Sequence, residues 1–394
     1  MKKLYLNDFV YIMFLFSFLC LGFSMAISYI SNGIAVLLAL FSIFSKENKQ
    51  FSKKNIIYFI VVIFPFIFSV LTLIYSKNIE LNLYEIEKLI FFVLTVFSLM
   101  FLEDKNKLSR NTILLYFGYI TVTIYLLSII SGTVYYLETG SFFDYKYSNS
   151  FLEIQHNYLS IYGVFSCYIF LRDMARKNDK KVYALNSIFV FLIISFIVLI
   201  SSRFAILLIF SLIFLFLIFS LFKKRNRKYA LISLFLGAVV SSFLIFSTNT
   251  LERFQKLKVE DRSPRYSIWR CSSRIITEEV SFFKGLGAGN VQKKIDECLI
   301  LNKRQYWSGL HSHNQIIGYV LAFGYLPTII LIFVFLHLLH MSLKSKDYDF
   351  LLFLIIILSF GLTENYMARR YGIFFYGFFI SFFIKKNEQR LLKK

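Results

Sequence analysis

Two histidines and three other polar residues stand directly before a long apolar segment in residues 309–327, GLHSHNQIIGYVLAFGYLP. Ser312 and Gln315 fit the S-x-x-Q capping box, which predicts a helix with Ser312 as its N-cap. His313 would then occupy the first helical position, where the positive end of the helix dipole disfavours an imidazolium. Because a general base must be neutral at neutral pH, His313 is a candidate catalytic base. The structural alternative is a histidine that only caps a helix at the membrane interface.

Arginines recur at helical spacing in residues 263–279, SPRYSIWRCSSRIITEE, and predict a short helix along the outer membrane surface. Arg265 is a candidate for anion binding with Arg270 and Arg274, and the alternative is a solvated basic helix face. The following GLGAGN, residues 285–290, resembles a phosphate loop only superficially, because no strand precedes it within a βαβ unit. We interpret it as a glycine turn that lets the backbone bend sharply.

Arg203 interrupts an otherwise apolar run of forty residues, 183–222. A charge at bilayer depth costs at least about 2.5 kcal/mol, so Arg203 should mark a hairpin tip or face a wet cavity. The alternative is a topological marker whose side chain reaches the interface.

Polar residues also stand at the ends of two other apolar segments, FLEIQHNYLSIY (151–162) and GLTENYMARRYG (361–372). A glutamate beside two arginines in the second segment is either a structural ion pair or part of a binding site for an anionic group. Together with the neighbours of His313, these segments supply the following candidate substrate contacts: His156, Tyr158, His311, Asn314, Glu364, Arg369 and Arg370.

These arginine sites and the histidine are all predicted at the outer face of a membrane. The long side chain and fixed charge of arginine suit bidentate recognition of phosphate. No cluster of carboxylates is arranged for a divalent metal, so the sequence predicts neither a metal nor another cofactor. The substrate that this suggests is a lipid diphosphate.

Composition places the chain in the membrane: 57% of its residues are apolar, 20% are aromatic and the mean hydropathy is +0.64. A soluble domain of 394 residues could not bury so much apolar surface. The net charge of +21 does not indicate nucleic-acid binding, because the basic residues form short tufts between apolar runs. We therefore predict an all-α, polytopic transmembrane helical bundle of about 12 spans, with a long, partly helical periplasmic loop.

Charge orients the predicted spans, since seven segments on one side hold 26 of the 44 lysines and arginines. Both termini are therefore predicted to be cytoplasmic. We divide the chain into spans 1–9 (1–247), a long outer loop (248–312), and spans 10–12 with a cytoplasmic tail (313–394). The predicted spans are 9–28, 31–45, 56–75, 87–102, 112–134, 154–171, 183–200, 204–222, 229–247, 313–340, 350–366 and 371–384.

Two cysteines, Cys271 and Cys298, share the predicted outer loop. An outer compartment permits a disulfide between them. The sequence does not show whether their Cα atoms lie close enough, so the bridge stays an open possibility.

Four pieces of the chain resemble the O-antigen ligase family in order and spacing: SRFAIL (202–207), RYSIW through GLGAGN (265–290), HSHNQ with Gly324 (311–324), and TENYMARRYG (363–372). The resemblance implies an inverting, metal-independent glycosyltransferase at the periplasmic face of the bacterial inner membrane. Such an enzyme moves a glycan from undecaprenyl diphosphate to an acceptor sugar, in lipopolysaccharide or other surface-polysaccharide biosynthesis. It also implies that Arg203 and Arg265 hold the diphosphate, and that His313 activates the acceptor hydroxyl.

One departure from the family pattern bears on the acceptor. The pattern H-[NSQ]-x9-G-x-x-[GTY] fits His313, Asn314 and Gly324 but meets Pro327 at its last position. A ligase would use lipid A–core as the acceptor, whereas a polymerase would use a second lipid-linked repeat, and the departure slightly favours the polymerase. A lipid-linked oligosaccharide transporter or flippase is the alternative from another class, which predicts broken helices, inverted repeats and charges deep within several spans.

Overall fold

The computed structural model describes residues 6–44, 51–102, 108–140, 154–177, 179–200, 202–222 and 264–392. Within these ranges the chain is all-helical and contains no strand. The predicted span 229–247 lies outside the described residues.

The described part forms fifteen α-helices, several of which begin at a short polar residue. Asn78, Ser109 and Asp347 are examples whose side chains accept a hydrogen bond from a backbone N–H of the first helical turn. The helices are α1 (Leu6–Leu21), α2 (Met25–Phe44), α3 (Lys53–Val62), α4 (Phe64–Leu71), α5 (Ile79–Phe101), α6 (Arg110–Thr139), α7 (His156–Arg176), α8 (Lys180–Leu199), α9 (Arg203–Phe222), α10 (Pro264–Glu279), α11 (Val291–Leu301), α12 (Gln315–Phe323), α13 (Tyr325–Lys344), α14 (Tyr348–Gly361) and α15 (Arg370–Leu392).

Four helices among the described residues are long and apolar enough to cross a membrane: Met25–Phe44, Arg110–Glu138, Lys180–Leu199 and Tyr325–Lys344. A fifth span is possible if the bent pair of α3 and α4 is taken as one. Three shorter apolar helices, α1, α9 and α14, are also present. By length and composition the described helices can therefore cross a membrane several times, and the total of about 12 spans stays a prediction.

Three of the predicted continuous spans are broken in the structure, and the first of them, 9–28, is divided between α1 and α2 at residues 22–24. The predicted span 56–75 is two helices, α3 and α4, that meet at Ile63 with a bend of 58°. Pro65 lies in the first turn of α4, where a missing N–H is tolerated, but it could not continue α3 without losing a hydrogen bond. The predicted span 313–340 is likewise two helices, α12 and α13, and Gly324 and Pro327 in its sequence mark the break.

The break in the last of these spans occurs at Gly324, which has a φ of +92°. Such a backbone conformation favours glycine, and a Cβ at this position would also lie 2.7 Å from the backbone nitrogen of Lys284. Pro327 then falls in the first turn of α13, where its ring is accommodated. Gly324, which fits the family pattern, and Pro327, which departs from it, thus have structural roles in ending α12 and starting α13.

The chain folds into two compact units: Met1–Ala35 with Lys105–Lys258, and Val36–Asp104 with Val259–Lys394. In the first unit, α6, α7 and α8 pack together around buried aromatic residues. The hydroxyl of Tyr125 donates a hydrogen bond of 2.6 Å to the carbonyl of Leu159, and its ring stacks on Phe196 at 4.0 Å. This bond satisfies the one polar atom of a fully buried tyrosine side chain.

In the second unit, α5 packs along α15, where Phe92 stacks on Tyr376 at a centroid distance of 6.0 Å. A disulfide between Cys271 and Cys298, with Cα atoms 5.8 Å apart, joins α10 to α11. Around it lies an apolar cluster of Ile268, Ile275, Ile295, Leu299 and Leu321. The helices α10, α11 and α12 therefore share one core.

The glycine turn at 285–290 binds to the end of α12. The N–H of Leu286 donates to the carbonyl of Leu321 at 2.8 Å, and the N–H of Gly287 donates to Ala322 at 3.0 Å. These bonds satisfy carbonyls that have no partner within the last turn of α12. Gly285 has no room for a side chain, because a Cβ would lie 2.5 Å from the carbonyl carbon of Ala322. The turn is a structural element.

We expect Gly285→Ala to lower the free energy of unfolding by about 1–3 kcal/mol, because the added methyl overlaps with backbone that cannot move without breaking the bonds of the turn. The matched control is Gly33→Ala in α2, where a Cβ would meet no heavy atom within 4 Å and alanine should stabilise the helix by up to about 1 kcal/mol. Thermal unfolding in detergent measures both. An unfolding midpoint of Gly285→Ala at or above that of the wild type would contradict this close packing.

Candidate active site

The helix after the two histidines begins later than predicted. Asn314, not Ser312, is the N-cap of α12, and its Oδ1 accepts hydrogen bonds from the backbone nitrogens of Ile316 and Ile317 at 2.9 and 3.0 Å. The hydroxyl of Ser312 instead donates to the carbonyl of Asn314 at 3.0 Å. The prediction that His313 is the first helical residue was therefore wrong. The capping-box pattern was misleading because asparagine one residue before the glutamine caps at least as well as serine.

His313 has left-handed backbone geometry, with a φ of +48°. Few residues other than glycine adopt this region, although histidine is among those enriched there. Its ring nitrogen Nδ1 lies 3.2 Å from Oε2 of Glu364. The same oxygen lies 3.9 Å from an Nη of Arg265. An imidazole, a carboxylate and a guanidinium thus form a continuous row.

This row differs in exposure along its length. The side chain of Glu364 is 7% exposed, that of His313 is 16% exposed and that of Arg265 is 44% exposed. The carboxylate is therefore enclosed by the protein, while the guanidinium remains accessible to an anionic ligand. If Nδ1 of the imidazole donates its hydrogen to the carboxylate, Nε2 is left as the basic nitrogen. This is the arrangement that orients a histidine for proton abstraction.

Hydrogen bonds hold the segment between α14 and α15 against the histidine segment. The side chain of Asn314 donates to the carbonyl of Leu362 at 3.1 Å. The N–H of Met367 donates to the side chain of Gln315 at 2.9 Å. Glu364 lies between these two contacts in sequence, so the backbone that carries its side chain is held on both sides.

The arginine helix α10 is anchored to the same place by Trp269. Its indole N–H donates to the carbonyl of Ser312 at 2.9 Å. Arg265 lies one turn before Trp269 and reaches the row, whereas Arg270 is exposed. Arg274 pairs with Glu278 at 2.9 Å on the exposed face of the helix. The structure therefore brings one arginine of this helix to the histidine and leaves the other two elsewhere.

The arginine pair after Glu364 is divided between two environments. An Nη of Arg370 lies 3.7 Å from Oε1 of Glu87 on α5. Arg369 instead acts electrostatically on His311, as does Lys88 of α5. The carboxylate of Glu364 contacts His313 and Arg265, and a structural ion pair with these arginines stays a prediction.

His311 is largely buried two residues before His313. Burial lowers its pKa to about 4, and the positive charges of Arg369 and Lys88 act in the same direction. His311 is therefore neutral at physiological pH. Lys88, which the sequence patterns did not single out, also lies in this cationic neighbourhood. It pairs with Glu85 at 2.6 Å and its side chain is only 10% exposed. A lysine in the early turns of an apolar helix is the one signal that could have indicated it.

The remaining predicted site residues lie in the first compact unit and are described within it. Arg203 is the first residue of α9, directly after the turn that follows α8, and its side chain is partly buried. This is the position of a hairpin tip. His156 is the first residue of α7, and Tyr158, two residues further along that helix, is buried.

No group of three or more histidine, cysteine, aspartate or glutamate side chains could hold a metal ion within the described ranges. Around His313, the described charged groups include the carboxylate of Glu364 and the guanidinium of Arg265. Such a set is suited to binding an anion and to moving a proton.

Residues 188–333 match the family model Wzy_C, described as O-antigen ligase. The match includes Arg203, Arg265 and His313, while Glu364 and Arg369 lie beyond its end. No curated protein matches the chain. With its apolar helices, the matched domain makes this a multi-pass membrane protein of the O-antigen ligase and polymerase type. The chain therefore carries a domain of the O-antigen ligase family at residues 188–333.

Proposed function

We propose that this protein is a glycosyltransferase that moves a glycan from undecaprenyl diphosphate to an acceptor sugar at the periplasmic face of the bacterial inner membrane. The family supports the reaction class. The observation that carries the proposal is the row of His313, Glu364 and Arg265, in which a base, its orienting carboxylate and an accessible cation adjoin. A base and a cation are the two groups that displacement of a sugar diphosphate needs.

In the proposed step, Nε2 of His313 removes the proton of the acceptor hydroxyl while that oxygen attacks the anomeric carbon of the lipid-linked sugar. The bond from the anomeric carbon to the diphosphate oxygen breaks, and attack from the opposite face inverts the anomeric configuration. Glu364 holds the proton on Nδ1 and stabilises the imidazolium that forms, since its carboxylate lies 3.2 Å away. General-base assistance of this kind contributes roughly 10²–10⁴-fold.

The departing diphosphate gains negative charge as the glycosidic bond breaks. Arg265 is accessible beside the histidine and can donate two N–H groups to phosphate oxygens. By the family resemblance, Arg203 shares this task. Arg369 and Lys88 add positive charge near His311. In this proposal arginine and lysine side chains neutralise the leaving group, so the reaction proceeds without a metal or another cofactor.

The proposed topology has about 12 spans, both termini in the cytoplasm and residues 248–312 outside. The uneven distribution of lysine and arginine between the two sets of loops supports it. The disulfide between Cys271 and Cys298 adds support, because such bonds persist in oxidising compartments.

Polymerase and ligase activities share this chemistry and differ in the acceptor. Pro327 stands where the ligase pattern has glycine, threonine or tyrosine, which inclines us toward a polymerase that elongates a lipid-linked repeat. The other acceptor is lipid A–core.

A lipid-linked oligosaccharide transporter is the second candidate. The bend of 58° between α3 and α4 and the break at Gly324 are features that such transporters use. A histidine–carboxylate pair can also relay protons in a transporter, but the family match favours glycosyl transfer, so we place this candidate second.

The decisive experiment incubates purified protein with an undecaprenyl-diphosphate glycan and candidate acceptors, with and without EDTA. A ladder of products indicates a polymerase, and a single addition to core oligosaccharide indicates a ligase. Movement of the lipid across proteoliposome membranes without any new glycosidic bond would favour the transporter.

His313→Ala should abolish transfer while the protein keeps its unfolding temperature. Substantial remaining activity would show that His313 is not the base.

Glu364→Gln should lower the turnover number by about 10²–10⁴-fold, because the neutral amide neither fixes the Nδ1 tautomer nor stabilises the imidazolium. The affinity for the donor should change far less, which initial-rate kinetics would show as a loss in kcat with KM nearly constant. Glu278→Gln on the exposed face of α10 is the matched control. Equal effects of the two substitutions would argue against an orienting carboxylate.

Arg265→Lys should reduce kcat/KM by roughly tenfold or more, because lysine keeps the charge but loses the planar pair of donors. Arg274→Lys on the same helix serves as the control, since its partner Glu278 is exposed and surface pairs contribute little. Wild-type kinetics in Arg265→Lys would indicate that a point charge suffices there.

A further inference from the structure

A cavity of about 100 Å³ adjoins the histidine segment within the second compact unit. Its lining includes His311, Ser312 and Gln315 of the histidine segment, and Gln292 of α11. Because Ser312 and Gln315 flank His313 in sequence, the cavity lies next to the proposed base. None of the catalytic roles assigned above uses it.

Two buried polar atoms belong to residues that line this cavity. Nε2 of His311 and Oε1 of Gln292 are buried and have no hydrogen-bond partner among the described residues. Leaving such an atom unpaired costs about 1–3 kcal/mol, so a ligand that pairs with both would recover that energy. Two such atoms on residues of one cavity point to a ligand with hydrogen-bonding groups.

The side-chain amide of Gln292 determines which hydrogen-bonding group a ligand needs at this place. Its Nε2 donates to Oδ1 of Asp296 at 2.9 Å and to the carbonyl of Leu310 at 3.1 Å. The amide orientation is therefore fixed, and Oε1 can only accept. A ligand group opposite it must be a donor, such as a hydroxyl.

The imidazole of His311 offers the ligand an uncharged hydrogen-bonding group. The ring is largely buried beside two cations, so it remains neutral, and a neutral imidazole nitrogen either donates or accepts one hydrogen bond. Among the described residues of the lining, Glu85 alone is acidic, and its carboxylate lies 2.6 Å from the ammonium of Lys88. The polar lining therefore suits an uncharged ligand better than a phosphate.

Two aromatic rings contribute an apolar part of the lining. Tyr319 and Phe323 of α12 stack on each other at a centroid distance of 5.7 Å and both line the cavity. A sugar ring combines hydroxyls, which donate and accept, with an apolar C–H face that packs on aromatic surface. At about 30 Å³ for each water-sized group, the cavity holds roughly three such groups, or one edge of a hexose.

We propose that this cavity is a saccharide subsite, in which Gln292 and His311 bind the hydroxyls of an uncharged sugar ring next to the reacting centre. The inference rests on the proposed glycosyl transfer and deepens it, since it names the chemistry of the ring that is bound. The ring belongs either to the donor glycan or to the acceptor, and kinetics with each substrate varied in turn distinguishes these sources.

His311→Leu removes the imidazole and should raise the KM of one sugar substrate by about 3- to 10-fold, the value of one hydrogen bond, with kcat nearly unchanged. His311→Gln, which can still donate and accept, should restore much of that affinity. His340→Leu is the matched control, because His340 is exposed in α13. A rise in the KM of either donor or acceptor supports the subsite, and unchanged KM values for both would overturn it.

A binding measurement separates this inference from the proposed function. The probe is the free repeat oligosaccharide, without lipid or diphosphate, and its binding to the purified protein is measured by isothermal titration calorimetry. Inorganic pyrophosphate is titrated separately as the second ligand. His311→Leu should weaken oligosaccharide binding and leave pyrophosphate binding unchanged. The subsite would be refuted if the oligosaccharide does not bind, or if it binds equally well to His311→Leu and to the wild type. Either result would stand even if glycosyl transfer is observed.

A second variant tests the subsite independently, in case His311→Leu does not fold correctly. Ser69→Val narrows the cavity from the side of α4 and leaves Gln292 and His311 in place. It should weaken oligosaccharide binding in a protein whose unfolding temperature and disulfide are those of the wild type. Full binding in Ser69→Val would contradict a ring seated in this cavity.

Discussion

The contact between Nδ1 of His313 and the carboxylate of Glu364 is the interaction on which the proposed chemistry depends. It joins residues 51 positions apart, and neither segment could fix it alone. The backbone of His313 is left-handed, so this residue does not continue into the helix that follows. Two hydrogen bonds between the same segments, from Asn314 and to Gln315, keep the carboxylate in reach. The geometry of the base is therefore a property of two loops locked together.

Helix interruptions create the space for those loops. A single straight helix from residue 313 to 340 would place the histidine at the end of a rod, with no neighbouring backbone to bind it. Instead α12 is a short helix that ends at Gly324, and the glycine turn binds its last carbonyls. Its start carries the histidine segment, while its end is tied to the turn that precedes α11. The short helix thus links α10 and α11 to the segment that carries His313.

Composition and periodicity were sufficient for the all-helical, membrane-crossing character of the chain, because a bilayer demands long apolar helices. They also indicated His313, Arg265 and Glu364 as polar residues in places where hydrophobic ones are expected. The cap at Asn314 was missed because two capping residues compete within three positions, and tertiary contacts decide between them. Lys88 and Gln292 gave little local signal, since their importance comes from neighbours that are distant in sequence.

The disulfide between α10 and α11 has a consequence for how the protein matures in the cell. Arg265 stands on α10, so the guanidinium reaches its working position on a helix that is covalently tied to its neighbour. In the proposed topology, with residues 248–312 outside, thiol oxidation completes that tie only after the segment has left the reducing cytosol. A newly made chain would therefore mature in two stages, insertion followed by oxidation, and cells with impaired thiol oxidation would accumulate an inserted but immature form.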